Sequence, residues 1–286
     1  MNGHALSTRR AAGAGGARRS HLRRDLRGIY TIWYRDVLRF FKDRVRIFAS
    51  LGQPLLFLFV FGAGISAAIG RLGGASGGTD YKQFIFPGVL GMTVLFSAVF
   101  SALSIVWDRE FGFLREVLVA PISRWAVVLG KVAGGSTVSM FQGALLLLLA
   151  PLIGVRFSVL QVIELFGAML LLAAMMSAFG ILIAARQRTM EGFQVVMQFL
   201  LFPMLFLSGA FFPLTTGVPR WLLALAKIDP VTYGVDLLRQ VALREALPKP
   251  ALAALSLHPP GFDIAVMVVL TFVFLAPAVW LFAKQE

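Results

Sequence analysis

The chain alternates between long apolar stretches and short segments that hold most of its charge. A helix needs about 20 apolar residues to cross the hydrocarbon core of a bilayer, and six stretches reach that length. In lipid each backbone amide and carbonyl must be bonded within its own segment, so stretches of this kind form helices. The pattern predicts an all-α membrane protein with six transmembrane helices: Phe48–Gly70, Phe84–Val106, Val127–Pro151, Leu160–Ala185, Phe193–Leu214 and Phe262–Phe282.

An amphipathic helix is predicted over residues 26–47, directly before the first span. Its aromatic and cationic residues recur at helical spacing and gather on opposite faces. The candidate functional residues are Trp33 on the apolar face and Arg35, Arg39 and Lys42 on the charged face. Such a helix lies along the membrane surface as a simple anchor, or it forms part of a docking surface for a cytoplasmic partner. Periodicity alone leaves both interpretations open.

Composition and charge distribution support a membrane protein with both termini in the cytoplasm. Charged residues make up only 14% of the chain, against about a quarter in soluble domains. The net charge of +13 is uneven, since twelve of the 27 Lys and Arg lie between Arg9 and Arg46. With the amino terminus inside, inner segments hold 19 Lys and Arg and outer segments hold 8, as in a multi-pass protein of a cytoplasmic membrane. We therefore expect contact with lipid rather than with nucleic acid.

The chain divides into three predicted parts. Residues 1–25 are rich in Gly, Ala, Ser and Arg and are predicted to form a disordered basic cytoplasmic arm. Residues 26–47 are the amphipathic interfacial helix, and residues 48–286 are the six-span domain. Cysteine is absent, and the three histidines, His4, His21 and His258, lie outside the predicted spans. The sequence therefore predicts no metal site, no catalytic residue and no cofactor in this chain.

A charged segment follows the second span, on the predicted inner side, and ends at Pro121. It has an apolar ridge at spacings of three and four, flanked by charge. A short helix of this kind inserts into a groove of another protein, or it merely links two spans along the interface. The candidate residues are Asp108, Arg109, Glu110, Phe111, Leu114, Arg115 and Leu118. Arg124 and Lys131, just beyond it, are expected to contact the same partner or lipid phosphates.

Two short helices are predicted between the fifth and sixth spans, at Pro219–Lys227 and Val231–Leu247. Asp229 followed by Pro230 is a strong start signal for the second helix. Asp236 and Arg239 are three residues apart and are expected to pair on it. Both helices are too short to cross and too apolar for an ordinary loop, so we expect them to dip into the outer leaflet.

Polar residues inside the spans are hydroxyls and amides. A stripe of Thr93, Ser97, Ser101 and Ser104 follows one side of the second span, and Gln142 and Gln198 lie in the third and fifth. Such residues let helices pack closely and bond across their interface, or they line a substrate path. Glu164, near the outer end of the fourth span, is expected to pair with Arg156. No carboxylate or cation lies near a span centre, which argues against an ion pump.

Three segments in this order resemble the type-2 ABC transporter permeases: DREFGFLREVLVAPISR from residue 108, SGAFFPL at 208–214 and KIDPVTYGVDLLRQ at 227–240. The resemblance implies a connecting helix before the first span and a coupling helix between spans two and three. It also implies short re-entrant or external helices between spans five and six. The segment from Asp108 to Leu118 then meets the ATPase subunit. Ser97, Ser101, Gln142, Gln198, Phe211, Phe212 and Tyr233 become candidates for the substrate path or outer gate.

The function implied by the resemblance is ATP-driven export of a hydrophobic or amphipathic substrate, such as a drug, lipid or glycan. No GxxxxGK[ST] phosphate-binding loop is present, so ATP and Mg²⁺ are expected in a separate ATPase subunit. A second copy of the permease, forming a homodimer, is the other expected partner. The alternatives are a secondary transporter driven by an ion gradient, which favours buried charges and inverted repeats, and a membrane-embedded enzyme, which needs a reactive cluster.

Overall fold

The computed structural model describes residues 4–62, 64, 81–111, 122–215 and 217–284. Within these ranges every regular element is helical, as the sequence predicts. The α-helices are α1 (His4–Lys42), α2 (Arg44–Leu56), α3 (Tyr81–Ser101), α4 (Leu103–Glu110), α5 (Arg124–Leu149), α6 (Val159–Ala184), α7 (Met190–Leu207), α8 (Arg220–Ile228), α9 (Pro230–Leu243), α10 (Lys249–Leu255) and α11 (Pro260–Ala283). A π-helical turn at Phe57–Phe61 continues α2, and a 3₁₀ turn at Ala150–Ile153 follows α5.

Five helical segments of the described chain are long and apolar enough to cross a membrane. They are Gln83–Glu110, Arg124–Leu152, Val159–Ala184, Met190–Leu207 and Lys249–Ala283, and they correspond to predicted spans two to six. The described part of the first predicted span contains a shorter apolar helix, Ser50–Val60. The remainder of that prediction falls mostly on residues 65–80, which lie outside the described residues.

The core of the bundle is formed by α3, α5 and α6, each of which contacts the other two. Helix α11 lies along α6, and α9 closes one end of the bundle by contacting α3, α6 and α11. Large apolar side chains fill the centre and are fully buried, including Phe86, Leu95, Leu146 and Met169. We call the end at which α8, α9 and α10 lie the short-helix end. The opposite end is the foot of α4, where Glu110 and Arg124 lie.

Helix α1 differs from the prediction at both ends. It begins at His4, so residues 4–25, predicted as a disordered arm, are helical; Ala and Arg, frequent there, have high helix propensity. It ends at Lys42 and α2 starts at Arg44, so the helix predicted over 26–47 is interrupted at Asp43. The Ile47 amide bonds the Asp43 carbonyl, which places Asp43 just before the first turn of α2, a position that favours Asp.

The apolar face of α1 packs along α5 instead of facing only lipid. Ile32 and Phe40 are buried, whereas Phe41, near the end of α1, is exposed. The two helices approach most closely at Gly130 of α5. A Cβ atom there would lie 2.9 Å from Ile32 Cβ and 3.1 Å from the Ile29 carbonyl oxygen. Small residues allow this close approach. In lipid the hydrophobic effect does not drive helices together, so van der Waals contacts of this kind hold them.

The connection between α7 and α11 is more broken than the sequence predicts. Helix α7 ends at Leu207, seven residues before the predicted end of span five. The Ser208 hydroxyl donates to the Leu205 carbonyl and accepts from the Ala210 amide, and such local bonds compete with helix continuation. The predicted start of α9 is confirmed: the Asp229 carboxylate accepts from the Val231 amide at 3.1 Å, and Pro230 is the first helical residue.

Gly130→Ala tests the close approach of α1 and α5. The added methyl group has to displace Ile32, and overpacking of this kind costs about 1–3 kcal/mol. Gly167→Ala in α6 is the matched control, since a Cβ there meets no atom within 4 Å. We expect G167A to melt at or above the wild-type temperature, because Ala favours helix over Gly, and G130A to melt lower. Equal thermal unfolding of the two purified variants would contradict the packing described here.

Candidate functional site

A cluster of four charged side chains joins three helices near the foot of α4. We call Arg35, Asp36, Asp108 and Lys131 the charge cluster. Lys131 of α5 is buried, and its Nζ lies 3.1 Å from Asp36 Oδ2 and 3.6 Å from Asp108 Oδ2. Arg35 of α1 reaches Asp108 Oδ2 at 3.2 Å. The cluster therefore ties α1 to the last turn of the second span and to the first turns of the third.

Lys131 completes its shell with a neutral partner. Its Nζ donates to the Ser104 hydroxyl at 2.8 Å, so the ammonium group has donors directed at two carboxylates and one hydroxyl. A buried charge is tolerated when it is paired and hydrogen-bonded in this way. Lys131 is therefore directed into the protein, and the prediction that it contacts an outside partner or lipid phosphates is wrong. Its position inside an apolar helix was the signal for a buried partner.

Arg109 and Glu110 hold the connection between α6 and α7. Arg109 donates to the carbonyl oxygens of Ala184 and Ala185, each at 3.2 Å, and to that of Gln187. These carbonyls lie at and just beyond the end of α6, where the helix dipole also favours a cation. The Glu110 carboxylate accepts from the Met190 amide at 2.9 Å, at the start of α7, where the dipole favours an anion. The two side chains thus bind the end of α6 and the start of α7.

The predicted coupling segment is only partly described. Phe111 is exposed and packs against Trp107, with ring centroids 5.2 Å apart. Asp108 is buried within the charge cluster, and Arg109 is directed to α6. Leu114, Arg115 and Leu118 lie outside the described residues. Of the described members, Glu110 and Phe111 are therefore the exposed ones.

The candidate residues of α1 face the bundle. The Trp33 indole donates to the Thr137 hydroxyl of α5 at 2.9 Å. The guanidinium of Arg39 lies 5.1 Å from the centroid of the Trp107 ring, and Lys42 is exposed at the last residue of the helix. With Arg35 in the charge cluster, two of the three predicted surface cations contact the foot of the second span.

Two adjoining cavities form a cleft between α1, α2, α3 and α5. The first, of about 210 Å³, is lined mainly by apolar side chains and includes Ser97 and Gln142. The second, of about 250 Å³, runs toward the charge cluster and includes Ser101 and Trp107. Both are bordered by Phe40 and Val138. The structure therefore brings three of the predicted path residues to one cleft.

The hydroxyl stripe of the second span lies partly at helix contacts and partly at the cleft. Thr93 and Ser101 donate to carbonyls of their own helix, at 2.8 Å and 2.6 Å, and Ser101 also lies where α3, α5 and α6 meet. A Cβ at Gly135 would lie 2.2 Å from the Ser101 hydroxyl. Ser97 instead has no hydrogen-bond partner among the described residues. Gln142 donates to the Ser50 hydroxyl at 2.6 Å, which links α5 to α2 across the cleft.

The other candidate path residues lie away from this cleft. Phe211 packs on Phe57 with ring centroids 5.4 Å apart, and Phe212 follows it in the same turn at the short-helix end. Tyr233 is buried in α9 and donates to the Lys227 carbonyl at 2.6 Å. Gln198 is exposed on α7. The structure therefore separates the predicted set into a cleft, an end region and one surface residue.

Two predicted ion pairs at the short-helix end are wrong. Asp236 Oδ2 accepts from the Leu257 and His258 amides at 2.9 Å and 3.1 Å. Arg239 instead donates to the Gly209 carbonyl, and its guanidinium lies 4.6 Å from the centroid of the Phe84 ring.

Glu164 pairs with Arg244, at 2.9 Å, rather than with Arg156. Helix spacing suggested the first predicted pair and nearness at the outer end of span four the second, but these side chains bond to partners distant in the sequence.

Burial also alters the acid–base properties of the helix cap. It raises the pKa of Asp229 to about 7, opposed by hydrogen bonds from Val231 and Thr232. The carboxyl of Asp229 accepts from the Thr232 hydroxyl at 3.2 Å. Burial likewise lowers the pKa of Arg239 to about 10, and Asp236 opposes that change. This end of the molecule therefore holds several ionisable groups that water does not reach.

Comparison with known proteins matches the ABC-2 type transporter family over residues 27–243. The chain is 32% identical over 197 residues to ycf38 of Cyanophora paradoxa, a protein named as a transport permease; the match covers 68% of this chain and 67% of ycf38. It is 29% identical to the inner membrane transport permease YadH of Escherichia coli, over 72% of this chain and 79% of YadH. Nodulation protein J of Rhizobium leguminosarum bv. trifolii is 27% identical, over 74% and 80%.

The matched region runs from α1 through α9, and it contains the charge cluster, the cleft and the three segments on which the resemblance rested. These findings decide between the functional classes that the sequence left open. The chain belongs to the ABC-2 type transporter family and is the membrane-spanning permease subunit of an ABC transporter.

Proposed function

We propose that this permease is one half of an exporter in which two copies form the membrane path and a separate ATPase subunit binds and hydrolyses ATP with Mg²⁺. The absence of a GxxxxGK[ST] loop from the sequence supports a separate ATPase. The likeness to an inner membrane transport permease supports a cytoplasmic-membrane location. Six spans, with both termini in the cytoplasm, fit the apolar stretch at 48–70, the five long helices and the Lys and Arg distribution.

The observation that carries the proposal is the bonding of Asp108, Arg109 and Glu110. These consecutive residues are tied to α1 and α5, to the end of α6 and to the start of α7 respectively. They form the first part of the candidate coupling segment, which continues with the exposed Phe111. A push by the ATPase on that segment would therefore act on four helices together.

The cleft is the candidate substrate path. Its lining is aromatic and aliphatic with a few hydroxyl and amide groups, which suits a hydrophobic or amphipathic cargo. Small-molecule sites in proteins enclose about 300–1,000 Å³, more than either cavity alone. The two adjoining cavities together suit part of a drug, lipid or glycan-like molecule, and the second copy would supply the rest of the wall.

The short-helix end is the candidate outer gate. Helices α8 and α9 are too short to cross the membrane, and backbone at membrane depth is tolerated where protein covers it. Phe211 joins the turn after α7 to α2 and α3, because its ring packs on Phe57 and its carbonyl accepts from the Tyr81 hydroxyl at 2.9 Å. Rearrangement of this turn, which includes Phe212, and of α9, which carries Tyr233, would open or close the path outward.

Phe111→Ala combined with Leu114→Ala tests the coupling segment. Removing the apolar ridge should separate ATP turnover from transport, so ATP hydrolysis by the purified complex persists while transport into proteoliposomes falls. Val269→Ala with Phe272→Ala on α11 is the control, since it truncates an exposed apolar pair away from the coupling segment, the cleft and the candidate gate. Normal transport by the Phe111 and Leu114 double variant would refute the assignment.

Lys131→Met tests the charge cluster as the link between α1 and the foot of the second span. It removes the buried cation between Asp36 and Asp108 and leaves the half-exposed Arg35 as their remaining partner, which should cost up to about 3–5 kcal/mol of stability. Arg35→Met should cost about 0–1 kcal/mol, because the Arg35 side chain is 49% exposed.

The triple variant Lys131→Met, Asp36→Asn, Asp108→Asn separates charge from packing. It removes the uncompensated carboxylates, so its melting temperature should recover most of the loss measured for K131M. A K131M protein as stable as R35M, or a triple variant no better than K131M, would exclude the ion-pair account.

Ser97→Trp tests the cleft as the substrate path. The indole would fill the first cavity, so transport should be largely lost while the complex still assembles and hydrolyses ATP. Ser97→Ala is the matched control, because the Ser97 hydroxyl has no hydrogen-bond partner in the described part of the chain. S97A should transport as wild type does. Undiminished transport by S97W would place the path elsewhere.

A further inference from the structure

Three side chains with metal-ligating atoms converge at the short-helix end. Asp236 lies in α9, His258 in the turn after α10, and Asp263 in the first turn of α11. One ligand atom from each residue lies within 4.8 Å of the other two. Asp236 is 2% exposed and Asp263 is fully buried. This arrangement takes no part in the coupling proposed above, since it lies at the other end of the bundle.

The donors around the two carboxylates leave one oxygen of each free. The Gln240 amide donates to Asp236 Oδ2 at 3.2 Å and to Asp263 Oδ2 at 3.1 Å. The amides of Leu257 and His258 add two more bonds to Asp236 Oδ2. Oδ1 of Asp236 and Oδ1 of Asp263 are buried and have no hydrogen-bond partner among the described residues. Each of these donors thus bonds to the Oδ2 atom of its carboxylate.

The imidazole faces the same space. Nδ1 of His258 is buried, lies 3.5 Å from Asp263 Oδ1 and has no hydrogen-bond partner in the described ranges. Its ring is held between aromatic neighbours, with centroids 5.4 Å from Tyr233 and 4.9 Å from Phe262. The orientation of the nitrogen is therefore fixed by packing.

The electrostatics of the cluster favour a cation. Two carboxylates that approach each other out of contact with water repel, and a cation between them removes that cost. The buried guanidinium of Arg239, three residues beyond Asp236 on α9, donates to the Gly209 carbonyl and lies over Phe84. One imidazole nitrogen and two carboxylate oxygens form a ligand set typical of Zn²⁺ with an open fourth position. The Gln240 amide corresponds to the outer partner that orients ligating carboxylates.

We propose that Asp236, His258 and Asp263 bind a divalent first-row transition-metal cation, best matched by Zn²⁺. The ion would join α9 and the turn after α10 to the start of α11, so it would fasten the short helices to the last span. No motif in the sequence indicates this site, because its ligands come from three elements and follow no metal-binding spacing. The histidine pattern led to the opposite prediction.

The test uses the full-length purified permease with its affinity tag removed. After chelator treatment and dialysis, Zn²⁺ is titrated against a competing chromogenic chelator, bound metal is measured by mass spectrometry, and melting temperature is recorded with and without Zn²⁺. We expect about one ion per chain and a higher melting temperature with metal. Asp263→Asn and His258→Ala should abolish both effects, whereas His21→Ala in α1 should retain them. Gln240→Leu should weaken binding about 10–100-fold.

The competing account is a proton shared between the two carboxylates. It predicts no more bound metal in the wild type than in the D263N and H258A variants, no melting shift on adding Zn²⁺, and a higher melting temperature for D263N than for the wild type. That result overturns the proposal. If D263N fails to fold, H258A, whose residue is at the edge of the cluster, decides: equal Zn²⁺ affinity in H258A and wild type also overturns it.

Discussion

The ammonium group of Lys131, held between carboxylates of two other helices, fixes how α1, α4 and α5 meet. In lipid the hydrophobic effect does little to fix the position of one helix along another. The apolar contacts of α1 on α5 would therefore allow several registers of similar energy. Burying ionised groups is costly and adds little net stability. What the charge cluster supplies is a single register, because only one alignment places Arg35 and Lys131 within reach of Asp108.

In that register, the foot of the second span contacts several neighbouring helices at once. Successive residues of a helix point about 100° apart, so Asp108, Arg109 and Glu110 reach three different neighbours. Three consecutive residues of alternating charge can thus bind two cations, a helix C-terminus and a helix N-terminus at the same time. The bonds of Asp108 are ionic. Those of Arg109 and Glu110 are directed at backbone groups, which side-chain substitutions elsewhere leave in place. Under the proposed function, movement of the coupling segment would reach these neighbours through the triplet.

Much of this architecture is local enough to predict from sequence. Hydropathy located the five long helices, and Asp229 with Pro230 located the start of α9. Pairings of charged side chains were predicted poorly, as Asp236, Arg239 and Glu164 illustrate, because helical spacing and nearness along the chain describe only local neighbours. Lys131 was interpreted as a surface cation, although a lysine among apolar residues indicates a buried partner. The cluster of Asp236, His258 and Asp263 has no sequence signal, since only the packing of α9 against α11 brings it together.

The distribution of bonds also indicates which parts of the permease move. At both ends of the bundle, charged and amide side chains bond the loops to neighbouring helices. Each loop therefore moves together with its helices unless these bonds break. Between the ends, α3, α5 and α6 share a fully buried apolar core and small-residue contacts that separate only with loss of close packing. Among the side chains that the structure describes, Gln142 ties α5 to α2 across the cleft by its bond to Ser50. Breaking one neutral hydrogen bond costs about 0.5–1.5 kcal/mol, so the cleft widens more readily by displacement of α2 than by separation of α3 from α5.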